Sequence, residues 1–312
     1  MLTIVVLSLV GTALGEPIRA LNRDFPDPSI IKTSSGWYSF ATTSGGRNVQ
    51  VAHSANSTDW EFLDYDALPG PFPQWVADDP QPWAPDVFQT DDGRYVMYYS
   101  ARPREQDSKH CLGVATSSSI DGPYTPIDGD AFACPLDQGG AIDAAGFKDT
   151  DGTLYIAYKV DGSSLNTSGN DYHPTPLVLQ QVTSDGYTKV GEPVTLLDRI
   201  DEDGPLIEAP SIVNADGTYY LFFSSHLFDS PDYDSKYATA PSVSGPYTRV
   251  GWVLAPGDES NVGPLSGPGG ADISDDGKKL VFHANLNNEN PTRGRGLYIT
   301  EVELSGGKVT IV

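Results

Sequence analysis

Short runs in which apolar or aromatic residues alternate with polar ones recur along the whole chain, and five of them follow a glycine turn. The turns are Gly36-Trp37-Tyr38, Asp92-Gly93-Arg94-Tyr95, Asp151-Gly152-Thr153-Leu154-Tyr155, Asp216-Gly217-Thr218-Tyr219-Tyr220 and Asp276-Gly277-Lys278-Lys279-Leu280, with glycines 57, 59, 65 and 60 residues apart. Asp-Gly between two strand-like runs is a strong hairpin signal. The strands that follow include Tyr95-Val96-Met97-Tyr98-Tyr99, Leu154-Tyr155-Ile156-Ala157-Tyr158 and Tyr219-Tyr220-Leu221-Phe222-Phe223. A third strand of small residues comes later in the repeat and leads to a second turn. Ala115-Thr116-Ser117 precedes Gly122-Pro123-Tyr124-Thr125, and Ala238-Thr239-Ala240 precedes Gly245-Pro246-Tyr247-Thr248. Four short strands per unit, repeated five times, predict an all-β, single-domain, five-bladed β-propeller over residues 16–312. A β-sandwich is the alternative, and it does not account for five evenly spaced copies.

The same turns locate a set of acids. Counting nine residues back from the turn glycine lands on Asp27, Asp143 and Glu208 in the first, third and fourth repeats. The second has Ala84 there with Asp86 nearby, and the fifth has Pro268 with Asp272 displaced. The first strand of a blade lines the central channel, so the three acids are expected to converge at one of its mouths. Their neighbours are apolar or small: Pro26-Asp27-Pro28, Ile142-Asp143-Ala144 and Ile207-Glu208-Ala209. A carboxylate buried in such surroundings without a partner costs several kcal/mol. A hydrogen bond to a nearby backbone N–H explains one such acid more easily than three at one offset. Two carboxyls flanking a bond are what glycoside hydrolysis requires, and a third raises the pKa of its neighbour. Three acids would equally suit a hard cation such as calcium.

With these residues in hand, the chain from about Asp24 onward resembles glycoside hydrolase family 43. The motifs are Asp24-Phe25-Pro26-Asp27-Pro28-Ser29, Trp83-Ala84-Pro85-Asp86-Val87, Ile142-Asp143 before an Asp-Gly turn, and Glu208-Ala209-Pro210-Ser211. The resemblance implies an inverting glycosidase on a five-bladed propeller, acting on arabinose- or xylose-containing polysaccharide. It implies Asp27 as general base, Glu208 as general acid, and Asp143 as the group that orients and tunes the acid. Asp24 is the rival base. Trp83, Asp86, Phe147, His283 and Arg295 are the expected substrate-binding residues, with Arg293 as the alternative to Arg295 and with a core Trp and a satisfied core His as the alternative readings of Trp83 and His283. Many relatives carry a last-blade Gly-His-Gly/Cys-Ser motif whose His lies near a channel metal. Here Gly267-Pro268-Gly269-Gly270-Ala271-Asp272 has Gly270 at that place. That departure counts against a structural calcium, no metal ligand is assigned, and no cofactor is expected to be required. The compact chain, without an appended sandwich, points to an exo-acting α-L-arabinofuranosidase. An endo-1,5-α-L-arabinanase or β-xylosidase is the alternative, and a carbohydrate-binding propeller without turnover is the non-enzyme reading. The Asn-Asp-Pro-Asn-Gly signature of retaining fructan-type hydrolases is absent around Asp27.

Charge and targeting narrow the partners. The net charge is -23 and the pI about 4.3, which disfavours nucleic acid and anionic membrane surfaces. An oligo- or polysaccharide is the expected partner of a monomer. Met1 to Gly15 is almost wholly apolar and ends in Ala13-Leu14-Gly15, which predicts a cleaved signal peptide over residues 1–15 and an extracellular protein. The run lacks the usual Lys or Arg at its start, and a buried first strand is the alternative. In a secreted chain Cys111 and Cys134, the two cysteines, form one disulfide. Asn56-Ser57-Thr58 and Asn166-Thr167-Ser168 are N-glycosylation sequons.

Overall fold

The computed structural model describes residues 15–167, 172–287 and 293–312. The expected signal segment lies outside them except for Gly15, as does Ser168 of the second sequon. The described chain forms five antiparallel sheets around a channel, as the repeats predict. The first four run in chain order from the channel outward, beginning with strands Ile31–Thr33, Trp83–Gln89, Ala141–Lys148 and Ile207–Ala215. The fifth begins with Gly269–Ile273 and continues through Lys279–Asn285 and Arg295–Ser305. Its next strand comes from the other end of the chain. Ile18–Leu21 pairs antiparallel with Arg295–Ser305, matching Ile18 to Ile299 and Arg19 to Tyr298. This pairing closes the ring.

Each blade packs both faces on its neighbours, so its middle strands read as nearly continuous apolar runs. Tyr95–Ala101 is buried from Val96 onward. Five apolar clusters fill the five interfaces between blades. At the junction of the last and first blades, Leu297 and Val281 meet Phe25, Ile30 and Trp37. Three of the four Asp-Gly turns are set by conformation and not by crowding. Gly93, Gly152 and Gly217 have φ of 86°, 88° and 80°, with open space where a Cβ would stand.

Cys111 and Cys134 are joined, and the described residues contain no free thiol. The bond ties the third strand of the second blade to the segment entering the third. Closing a loop of this length contributes about 3 kcal/mol in the chain-entropy model. Asn56 lies on the surface, where its side-chain carbonyl accepts the N–H of Thr58 and Asp59.

Candidate active site

The channel wall of every blade is kinked near its start by one residue of left-handed φ. These are Asp27 (52°), Ala84 (40°), Asp143 (58°), Ala209 (52°) and Gly270 (60°). In the last four blades the ladder breaks there, between Trp83 and Asp86, Ile142 and Ala145, Glu208 and Ser211, and Gly269 and Asp272. Such bulges re-aim side chains, here into the mouth of the channel. They also correct the shared offset. Asp27 and Asp143 occupy the kink itself, whereas Glu208 sits one residue ahead of it. Asp27 also precedes its blade's first strand instead of lying on it.

The kinks surround a cavity of about 200 Å³ lined from all five blades, with Asp27, Asp143 and Glu208 on its wall. Asp27 is the most heavily bonded to cationic and polar groups. Arg295 donates from a guanidinium nitrogen to Oδ1 at 3.1 Å, and the Thr42 hydroxyl donates to Oδ2 at 2.6 Å. The Asp27 N–H donates to His283 Nδ1 at 3.1 Å. Burial alone would raise the Asp27 carboxyl. The Arg295 guanidinium, with the Thr42 bond, outweighs burial and holds it below its ordinary value. Burial, and then the Arg295 charge, push His283 down to about 3, so its ring is neutral beside Asp27.

Glu208 is gripped on both oxygens. Lys159 donates to Oε2 at 2.9 Å, and the Tyr233 hydroxyl donates to Oε1 at 2.8 Å. Lys159 is only 1 % exposed and also pairs with Asp161 at 2.8 Å. Burial opposes its charge, but Glu208, Asp161 and Asp143 outweigh burial and raise its pKa. Asp143 accepts the Ala209 N–H at 3.0 Å. Burial, and next the Glu208 charge, push its carboxyl well above the ordinary range despite Lys159. The site therefore holds an ionised carboxylate at Asp27 and, across the mouth, an Asp143 carboxyl that retains its proton at pH values where an ordinary Asp is ionised. Tyr233 connects the two sides: it bonds Glu208 and stacks on His283 with centroids 5.6 Å apart. Gly269 makes room for it, since a Cβ there would stand 2.1 Å from Tyr233 Cε1.

The predicted substrate contacts divide. Trp83 and Arg295 line the cavity. Trp83 stacks on His110 at 3.6 Å, and Arg295 lies 4.8 Å from the centre of the Phe228 ring. Arg293 is exposed and does not line the cavity. Asp24 is not on the wall either. It accepts the Ser44 hydroxyl at 2.8 Å and the Arg295 N–H at 3.0 Å, which makes it a strut behind the site. Phe147 is a correction: it is buried between the third and fourth blades, edge-on to Tyr219. His283 is another: fully buried, it supports Asp27 from behind and does not line the cavity.

Asp86 and Asp272 line the cavity and tie blades together. Asp86 accepts the Gly146 N–H at 2.7 Å, and Asp272 accepts the Ile30 N–H at 2.7 Å and the Ser211 hydroxyl at 2.6 Å. Burial, followed by the Asp272 charge, raises Asp86 well above the ordinary range. Burial pushes Asp272 up to about 7 against its two bonds. A calcium ion needs six or more oxygen ligands. Here the carboxylate oxygens already accept protein N–H and O–H groups, and the described residues contain no group of three metal-binding side chains. The His283 ring fills the space where a Cβ on Gly270 would stand, 2.8 Å away.

Lys159, Tyr233, Thr42 and Phe228 belong to the site and were missed in the sequence. Lys159 had a readable signal: counting outward from the Asp151-Gly152 turn pairs it with Ile142, next to Asp143. Tyr233 and Phe228 lie on a loop between strands, where no periodicity points to them.

A propeller whose channel mouth holds an ionised carboxylate opposite two further carboxyl groups, one of them proton-holding, beside an arginine and an aromatic wall, defines a glycoside hydrolase. The chain belongs to glycosyl hydrolases family 43, which matches residues 16–309. It is 27% identical over 288 residues to the extracellular endo-α-(1→5)-L-arabinanase 1 of Bacillus subtilis, covering 87% of this chain and 83% of that protein. It is 29% identical over 258 residues to an extracellular endo-α-(1→5)-L-arabinanase of Thermotoga petrophila, covering 71% of this chain and 50% of the relative. The chain thus spans about half the length of that second relative. A thermostable family-43 glycoside hydrolase of known structure superposes with a TM-score of 0.79 at 26% identity, covering 96% of both chains.

Proposed function

We propose that the protein is a secreted, inverting endo-1,5-α-L-arabinanase. The observation that carries the reaction type is the separation of charge states in one cavity: Asp27 held ionised by Arg295, and a proton retained by Asp143 next to Glu208. Asp27 takes a proton from water as the water attacks the anomeric carbon. Glu208 delivers the proton to the departing glycosidic oxygen, and Asp143 beside it orients and tunes that transfer. Room for that water calls for carboxyls about 6.5–9.5 Å apart. Trp83 offers an aromatic face to the sugar at the cavity wall. Endo action replaces the exo-acting arabinofuranosidase expected from the sequence, because the Bacillus and Thermotoga relatives are both named endo-arabinanases. Their extracellular naming also supports secretion.

On debranched arabinan, viscosity is expected to fall well before reducing ends accumulate, with the β-anomer appearing first by NMR. Release of arabinose alone, at unchanged viscosity, would overturn the endo reading, and a first-formed α-anomer would overturn inversion. The depressed Asp27 pKa sets the acid side. The base stays ionised until the pH drops below the ordinary Asp value of about 3.9, so kcat/KM should hold down to that region. Arg295→Met removes the main charge holding it down and is expected to move the acid limb to higher pH. An unmoved limb in that variant would refute Asp27 as the base.

A further inference from the structure

We propose that the outer edge of the fourth blade carries a second carbohydrate-binding site, a stacking platform built on Trp252 that holds an uncharged polysaccharide chain beside the catalytic cavity. The proposal rests on the glycosidase reading above and adds a site to it. Trp252 lies on Thr248–Leu254, the outermost strand of that blade. It is 66 % exposed, the most of any large apolar residue among those described.

Most exposed side chains are free to turn, but this ring is anchored. Its indole N–H donates to Asp234 Oδ2 at 2.8 Å. Asp234 is buried, and its other oxygen accepts the Ser225 N–H at 3.2 Å and the Ser225 hydroxyl at 2.7 Å. The Lys236 ammonium stands 6.0 Å from the ring centroid and is itself held by Asp203 at 3.0 Å. The result is a flat apolar face fixed in advance, with charged hydrogen-bonding groups near it. Such a surface suits a sugar ring, whose C–H face is apolar and whose rim carries hydroxyls. Fixing the ring beforehand lowers the ordering cost of binding. Val250, two residues earlier and also exposed, continues the apolar side of the strand.

The strand register places the platform near the catalytic end of the blade. Glu208 pairs with Ser224, Ser224 with Ser235, and Ser235 with Leu254. Trp252 pairs with Lys236, one rung further along. It is therefore three strand spacings outward from the acid, about 14 Å. The connection is also structural. The Ser225 hydroxyl that anchors Asp234 lies 3.0 Å from His226 Nδ1, at the start of the loop that brings Phe228 to the cavity. A net charge of -23 makes polyanions poor occupants, which leaves a neutral polymer running out from the cavity.

Affinity electrophoresis tests this in gels containing arabinan, arabinoxylan or xylan, using protein that also carries Glu208→Gln so that the polymer survives. Adding Trp252→Ala is expected to weaken retardation roughly tenfold, the loss of one aromatic face. Trp252→Phe should fall between the two, since it keeps a face but loses the Asp234 anchor. With Glu208 intact, Trp252→Ala should leave kcat/KM on short arabino-oligosaccharides unchanged. Equal retardation with and without Trp252, or no retardation of either protein, would overturn the platform. So would a loss that appears only with a change in oligomeric state by gel filtration, which would make Trp252 a contact between copies. Trp252-dependent retardation by xylan and not by arabinan would uphold the platform and refute the arabinan reading.

Discussion

Glu208→Gln is expected to slow hydrolysis of arabinan by about 10²–10⁴-fold, the contribution of a well-placed general acid. The reason lies in what leaves. A sugar alkoxide is a poor leaving group, so its oxygen must be protonated as the bond breaks. An aryl arabino-oligosaccharide with an acidic phenol needs no such help, and the variant should cleave it at close to the parental rate. The comparison isolates proton donation from binding, because both substrates occupy the same sugar sites. Gln also preserves the shape and one of the two oxygen acceptors that Lys159 and Tyr233 bond. Equal losses on both substrates would remove Glu208 from the role of acid.

The second large effect is on stability. Lys159→Met should cost about 3–5 kcal/mol, because it removes the cation from two carboxylates that sit in little water. Lys159 is 1 % exposed, and the Glu208 and Asp161 side chains it joins are 11 % and 12 % exposed. The sign of the pH dependence follows from its raised pKa. Its contribution is complete below its unfolded value of about 10.4 and is lost as pH climbs through the alkaline range. Urea midpoints at two pH values check this, and Lys159→Arg, which keeps the charge, should recover part of the loss. A Met variant as stable as the parent at neutral pH would sink the idea.

The propeller was legible because its signals are local. An Asp-Gly turn and the strand after it announce themselves within ten or so residues, and repetition supplies the blade count. Ring closure was not legible. Ile18–Leu21 has no strong alternation, and its partner strand lies at the far end of the chain. The acids were legible through the same turns, although the count that found Glu208 relied on a compensation. The fourth hairpin turns tightly between Ala215 and Thr218, while the third spans the longer gap from Lys148 to Leu154. The shorter turn hides a one-residue displacement relative to the kink. Phe147 shows the limit from the other side. A bulge shifts the alternation that follows it, so proximity to Asp143 in sequence says little about which way a neighbour faces. Contacts such as Tyr233 to Glu208 depend on loop placement, which no period encodes.

The closing strand has one more consequence, for the order in which the molecule becomes active. Asp27 belongs to the first blade, yet the guanidinium that keeps it ionised is 268 residues away and its histidine neighbour 256. Both stand on the last blade, which is completed by the N-terminal strand. During synthesis the three acids emerge long before Arg295, and until the ring shuts Asp27 has no counter-charge. With the roles proposed above, a chain whose ring is still open lacks the Arg295–Asp27 pair and is expected to be inactive until its two ends have met.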